Sequence, residues 1–213
     1  MAAKTFGNIG EAGFWWAMTV LSLALGGYAL FLVATGFDAV GTEIATNPTA
    51  FPVGLPVHIS AAAFALILGP FQFLRSVRTR APRLHRWTGR GYITACLIGG
   101  VAGGSIALGS TAGPVAGWGF LFLAVAWVAA TLMAWTSALR RDFTAHERWM
   151  VRSFALAFAA VTLRIYIPLG IMATGGEFFP AYRVIAWASW VPNLVVAEAW
   201  LWAKRPRALR VAA

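Results

Sequence analysis

Residues 116–139 read AGWGFLFLAVAWVAATLMAWTSAL, a run without one charged side chain, and Arg140 and Arg141 follow at once. About 20 mainly apolar residues carry a helix across the hydrocarbon core of a bilayer. This stretch is therefore a membrane span closed by a basic pair. Five more share its character, at 14–35, 55–74, 87–109, 149–173 and 182–203. Together they predict an all-α fold, a polytopic six-helix transmembrane bundle forming one integral domain over 1–213. The first span is too long for a signal-peptide core and has no convincing small-residue cleavage site after it, which makes it a retained helix. Composition agrees, with 60% of the 213 residues apolar, 11% charged and a mean hydropathy of +0.71, whereas soluble domains carry roughly a quarter charged residues. A single cysteine, Cys96, excludes an intrachain disulfide and any multi-cysteine metal or iron–sulfur site.

Seventeen Lys and Arg against seven Asp and Glu give a net charge of +10. The basic residues sit in short clusters between spans, so the excess reads as a topology signal and not as a nucleic-acid surface. One side collects Lys4, then Arg75, Arg78, Arg80, Arg83, Arg86 and Arg90, then Arg140, Arg141, Arg148 and Arg152, and lastly Lys204, Arg205, Arg207 and Arg210. The other holds Arg183 at its edge, with Asp38, Glu43 and Glu177. This bias predicts both termini in the cytoplasm, with anionic lipids drawn to the inner face. Trp15, Trp16, Trp87, Trp118, Trp149 and Trp202 fall near span ends, as an interfacial aromatic belt requires. Gly99, Gly100, Gly103 and Gly104 in span three form small-xxx-small pairs that admit a neighbouring helix backbone, or line a ligand-entry groove.

The placement of the three histidines makes them candidates for carrying chemistry. His85 and His146 open spans three and five, two helices that run in the same direction, and His58 opens span two at the opposite face. Helices starting on one surface hold His85 and His146 at similar depth, and opposed neutral imidazoles are the ligands of a six-coordinate b-type haem iron. Gly89, one turn beyond His85, leaves room for a flat macrocycle, and Arg86, Arg90, Arg148 and Arg152 suit haem propionates. Interfacial histidines placed by topology alone explain the same pattern. A zinc site of His85, His146 and Glu147 lacks further ligands. His58, after Pro56, is either a helix-start residue or a hydrogen-bonding group for a quinone-like ligand.

Charge inside the spans adds further candidates. Arg152 lies six residues inward from His146 and Glu198 six from Lys204, depths that allow an ion pair. Arg164 precedes Pro168 by four residues, and Pro192 with Asn193 interrupts span six. Such broken helices either pack as kinks or line a ligand site, with Arg164 and Asn193 as binding residues. No phosphate-cradling loop, nucleophile elbow or His-Glu-x-x-His zinc helix occurs.

The strings PVHISAAAFALILGPFQFL (56–74), LHRWTGRGY (84–92), HERWMVRSFALAFAAVTLR (146–164) and NLVVAEAW (193–200) resemble the bacterial membrane-protein family catalogued as domain of unknown function 2306. More distantly, the chain is similar to six-helix transmembrane cytochromes b of the ascorbate-linked type. That resemblance implies haem ligation by histidines on the third and fifth helices near the cytoplasmic face, the positions of His85 and His146. The second haem of those cytochromes uses helices two and four; His58 answers the first, but span four has no histidine, so at most one haem is implied. The expectation is a small b-type cytochrome or redox subunit in electron transport, exchanging electrons with a lipid-soluble carrier. The alternatives are a membrane carrier or small-ligand-binding protein using spans five and six, or a structural accessory subunit of a larger membrane complex.

Overall fold

The computed structural model describes residues 9–36 and 51–204. Helices account for nearly all of them, and no strand occurs among the described residues. In chain order these are α1 (Ile9–Thr35), α2 (Gly54–Gln72), α3 (Arg75–Arg80), α4 (Pro82–Leu108), α5 (Pro114–Leu139), α6 (Phe143–Ala157), α7 (Ala159–Ala173), α8 (Phe178–Ala188) and α9 (Val191–Ala203). Among the described residues, six segments are long and apolar enough to cross a membrane: Gly10–Thr35, Gly54–Gln72, Pro82–Leu108, Pro114–Leu139, Phe143–Ala173 and Phe178–Ala203. Spans five and six are each built from two helices, α6 with α7 and α8 with α9. Lys4, Asp38, Glu43, Arg205, Arg207 and Arg210 of the charge pattern lie outside the described residues.

Spans three and five start several residues earlier than their apolar windows. Their leading turns are charged, so hydropathy misses them, yet local chemistry makes them helical. Pro82 opens α4 with a backbone angle already suited to a helix. Asp142 caps α6 by accepting a hydrogen bond from the Ala145 amide at 2.9 Å.

Large apolar side chains such as Phe14, Phe31, Val101, Leu108 and Leu169 point outward, while Thr19, Ser22, Gln72, Thr131, Ser153 and Ser189 are buried. Hydrocarbon solvates the first set, and the second is kept away from it inside the protein. Trp16, Trp87, Trp118 and Trp202 are exposed, as belt residues are. Trp15 departs from that expectation. It is buried, and its indole Nε1 donates to the Pro70 carbonyl at 3.1 Å, tying α1 to α2.

The chain divides into two compact units, Met1–Ile106 and Ala107–Ala213. In the first, α1 packs along α2. In the second, α5 packs on α6 and α8, α7 on α8, and α6 on α9. Close approach of α5 to α8 depends on Gly119, where a Cβ would lie 2.9 Å from Trp187 Nε1. Arg183 secures the start of span six, its Nε donating to the Ala112 carbonyl at 3.1 Å.

Span six breaks at Ser189 and Trp190, immediately before α9, whose second residue is Pro192. A proline there has no N–H to offer the Ala188 carbonyl. Span five behaves differently from the sequence expectation, because α7 continues through Pro168 and the break falls ten residues earlier, at Phe158. A single proline forfeits one backbone bond. At Phe158 side chains compete for several: the Thr162 hydroxyl donates back to Ala159 at 3.1 Å, and Asn193 Nδ2 donates to the Ala155 carbonyl at 3.3 Å.

Candidate functional site

The two interruptions are bonded to each other. Asn193 Nδ2, two residues into α9, donates to Thr162 Oγ1 at 3.1 Å as well as to the Ala155 carbonyl. The single Thr162 hydroxyl hydrogen is shared between the Ala159 carbonyl and the Ser189 carbonyl of span six. Backbone groups at each break are thus met by side chains of the facing span, which is what an interrupted helix in hydrocarbon requires. Two donors at the same place are left over. Ser189 Oγ and Trp190 Nε1 are both buried, and neither has a hydrogen-bond partner among the described residues.

An open groove of about 490 Å³ runs from Trp190 along α9 to Trp202, lined between them by Val191, Leu194, Val195, Glu198 and Ala199. At a rise of about 1.5 Å per residue the two tryptophans stand roughly 18 Å apart along the helix. Glu198 is held by Arg152 of α6 through two contacts, Nε to Oε1 at 2.5 Å and Nη2 to Oε2 at 2.9 Å. The Arg152 guanidinium also lies 4.6 Å from the centre of the Trp149 ring. A bidentate pair stacked on an indole neutralises two charges that neither hydrocarbon nor bulk apolar protein would tolerate singly.

His146 lies half-buried in the first turn of α6, its Nδ1 2.8 Å from the Ala134 carbonyl of α5. A carbonyl only accepts, so Nδ1 carries the hydrogen and the lone pair of the neutral ring is on Nε2. His58 is set the same way, with Nδ1 2.8 Å from the Gly99 carbonyl of α4. Its ring occupies the space over Gly103, where a Cβ would come within 2.7 Å of Nδ1. Gly103 therefore receives an imidazole, where the sequence suggested a helix backbone or a ligand-entry groove. The opening beside Gly89 is likewise filled. A Cβ there would sit 3.2 Å from Gln72 Oε1, and the Gln72 amide donates to Thr88 Oγ1 at 2.9 Å, so this glycine accommodates a carboxamide instead of a macrocycle.

His85 is half-buried in the first turn of α4. Arg86 and Arg90 on the same helix are exposed, with Arg90 5.1 Å from the Trp87 ring centre, and Arg148 is exposed on α6. Arg164 is exposed on α7 and pairs with no carboxylate among the described residues. No group of three or more His, Cys, Asp and Glu is placed to hold a metal ion among the described residues. Sequence reasoning missed Gln72, Thr162, Ser189, Trp190 and the buried Thr131–Ser153 hydrogen bond of 2.8 Å. Pro192 flagged the break, and a search for hydroxyl residues around it would have reached Ser189.

A six-span α-helical membrane protein, its fifth and sixth spans interrupted and cross-linked, is the class that this fold and site define. The chain belongs to the family described as predicted membrane protein, DUF2306, whose model matches residues 55–201. The match includes all three histidines and both breaks. No curated protein and no solved structure matches the chain.

Proposed function

We propose that this protein binds a small, mainly apolar molecule with a hydrogen-bond acceptor, of the quinone class, at the paired breaks of spans five and six. The observation that carries this reading is the pair of buried donors without partners, Ser189 Oγ and Trp190 Nε1. Buried donors in native proteins are satisfied by protein, water or ligand. A quinone carbonyl accepts such bonds without bringing charge into the bilayer, and its apolar remainder suits the groove that starts at Trp190. The protein is then a membrane carrier or binding protein for that molecule, with Asn193 and Thr162 keeping the breaks in register. Equilibrium binding of a short-chain quinone to the purified full chain tests this. Saturable binding is expected, weakened about tenfold in S189A or W190F, the loss of one hydrogen bond to a desolvated acceptor. Affinity unchanged in both variants, or no saturable binding, overturns it.

A second reading has one specific observation in its favour. The Nδ1 bond of His146 to Ala134 presents Nε2 as a ligand nitrogen, the arrangement found where histidines hold metals. In this reading His85 and His146 would hold one b-type haem, and Arg86, Arg90 or Arg148 would pair with its propionates. The haem would supply one-electron chemistry. Protein made with full iron and haem supply should then show a Soret band lost in H85A and in H146A and kept in H58A. Colourless protein, or a band surviving either of the first two changes, sinks it.

A further inference from the structure

Arg75, Arg78, Arg80, Arg83, Arg86 and Arg90 fall on α3 and the start of α4, and all six are exposed. No Asp or Glu occurs between Glu43 and Asp142, and Glu11 is the one carboxylate among the described residues of the first unit. None of the six guanidiniums lies within ion-pair distance of a carboxylate among the described residues, in contrast to Arg152. Helix α4 intensifies the excess. It begins inside the cluster with no acidic residue in its first turn, so the positive end of its dipole lies beside Arg83 and Arg86. Like charges gathered at a positive helix end are unfavourable until an anion joins them.

The depth of the cluster identifies that anion. Arg83, Trp87 and Arg90 recur at one-turn spacing along the leading end of a span, as do Arg86 and Arg90. Trp87 is 69% exposed, a large ring facing outward at the position where interfacial tryptophans meet headgroups. The abundant anion at that level is a lipid phosphodiester, and a guanidinium fork matches its oxygens in a bidentate way. Zwitterionic lipids bring their own cation and leave the excess uncorrected.

We propose that the α3–α4 arginine cluster is a binding site for the phosphates of anionic phospholipids in the leaflet it faces, independent of any ligand at spans five and six. The full chain, purified in neutral detergent and moved into mixed micelles containing phosphatidylglycerol or phosphatidylcholine, is assayed for retained lipid by native mass spectrometry. Retention of phosphatidylglycerol about tenfold above phosphatidylcholine is expected, falling as salt shortens the screening length to about 3 Å at 1 M. The variant R83Q/R86Q/R90Q should lose the preference, and R140Q/R141Q, outside the cluster, should keep it. Equal retention of the two lipids by the unmodified chain overturns the proposal without any variant, as does an unchanged preference in the folded triple variant. Displacement of phosphatidylglycerol by inorganic phosphate at about millimolar concentration would assign the cluster to a soluble anion and also overturn it.

Discussion

Arg152 and Glu198 show what single residues disclose. A charge within a span is rare enough to be noticed in the sequence, and equal depth on two spans was sufficient to suggest the pair that the structure contains. Removing one partner strands the other, so R152M and E198Q should each destabilise the protein while the double variant loses less than their sum, with a coupling of about 1–3 kcal/mol. Unfolding in detergent measures the cycle, and strict additivity would refute coupling. His58 offers a second test. A methyl at Gly103 displaces the imidazole and breaks its bond to Gly99, so G103A should lose about 1–3 kcal/mol by overpacking. H58A should make that change nearly harmless; an equal penalty in both backgrounds would place the cause elsewhere. Gln72 and the Thr131–Ser153 pair were silent in the sequence for a physical reason. Threonine and serine can bond to their own helix backbone, so an apolar helix tolerates them whether or not a neighbour uses them.

Among the elements, span interiors were legible because hydrocarbon demands long apolar windows. Span ends were less so because a cap such as Asp142 or a leading proline extends a helix into charged sequence. The break in span six was legible in Pro192, a local cause. The one in span five was not, since its makers are Thr162 acting on its own turn and Asn193 arriving from another span. Two substitutions separate these causes. N193L removes bonds to Ala155 and Thr162 and should cost about 1–3 kcal/mol and the ligand affinity together. P168A, within continuous helix, restores a backbone donor to the Arg164 carbonyl and should leave stability unchanged or raise it. Thermal unfolding of the two variants that ranked them in the opposite order would show that Pro168 governs the span after all.

At the scale of the molecule, the apolar exterior and hydroxyl-bearing interior follow from the same composition that declared a membrane protein. The chain's pairing into two units did not, because hydropathy ranks spans without saying which neighbours they choose. Orientation rests on the fifteen Lys and Arg assigned to one side. Reporter fusions after Gly36, Gly113 and Gly175 should all read as outside, and a cytoplasmic reading at any one would overturn that assignment. Gly113 and Gly175 suit such junctions, since both adopt positive φ in the turns between spans, 90° and 69° respectively.

The run without a carboxylate, from residue 44 to residue 141, has an electrical consequence as well. Where the arginine-bearing side is 100 mV negative, each positive charge resists export by about 2.3 kcal/mol, and six moving together resist by about 14 kcal/mol. No acidic residue travels with α3 and α4 to offset that resistance. On a side so charged, the six arginines oppose export of the hairpin formed by α2, α3 and α4, with no carboxylate to lessen the cost.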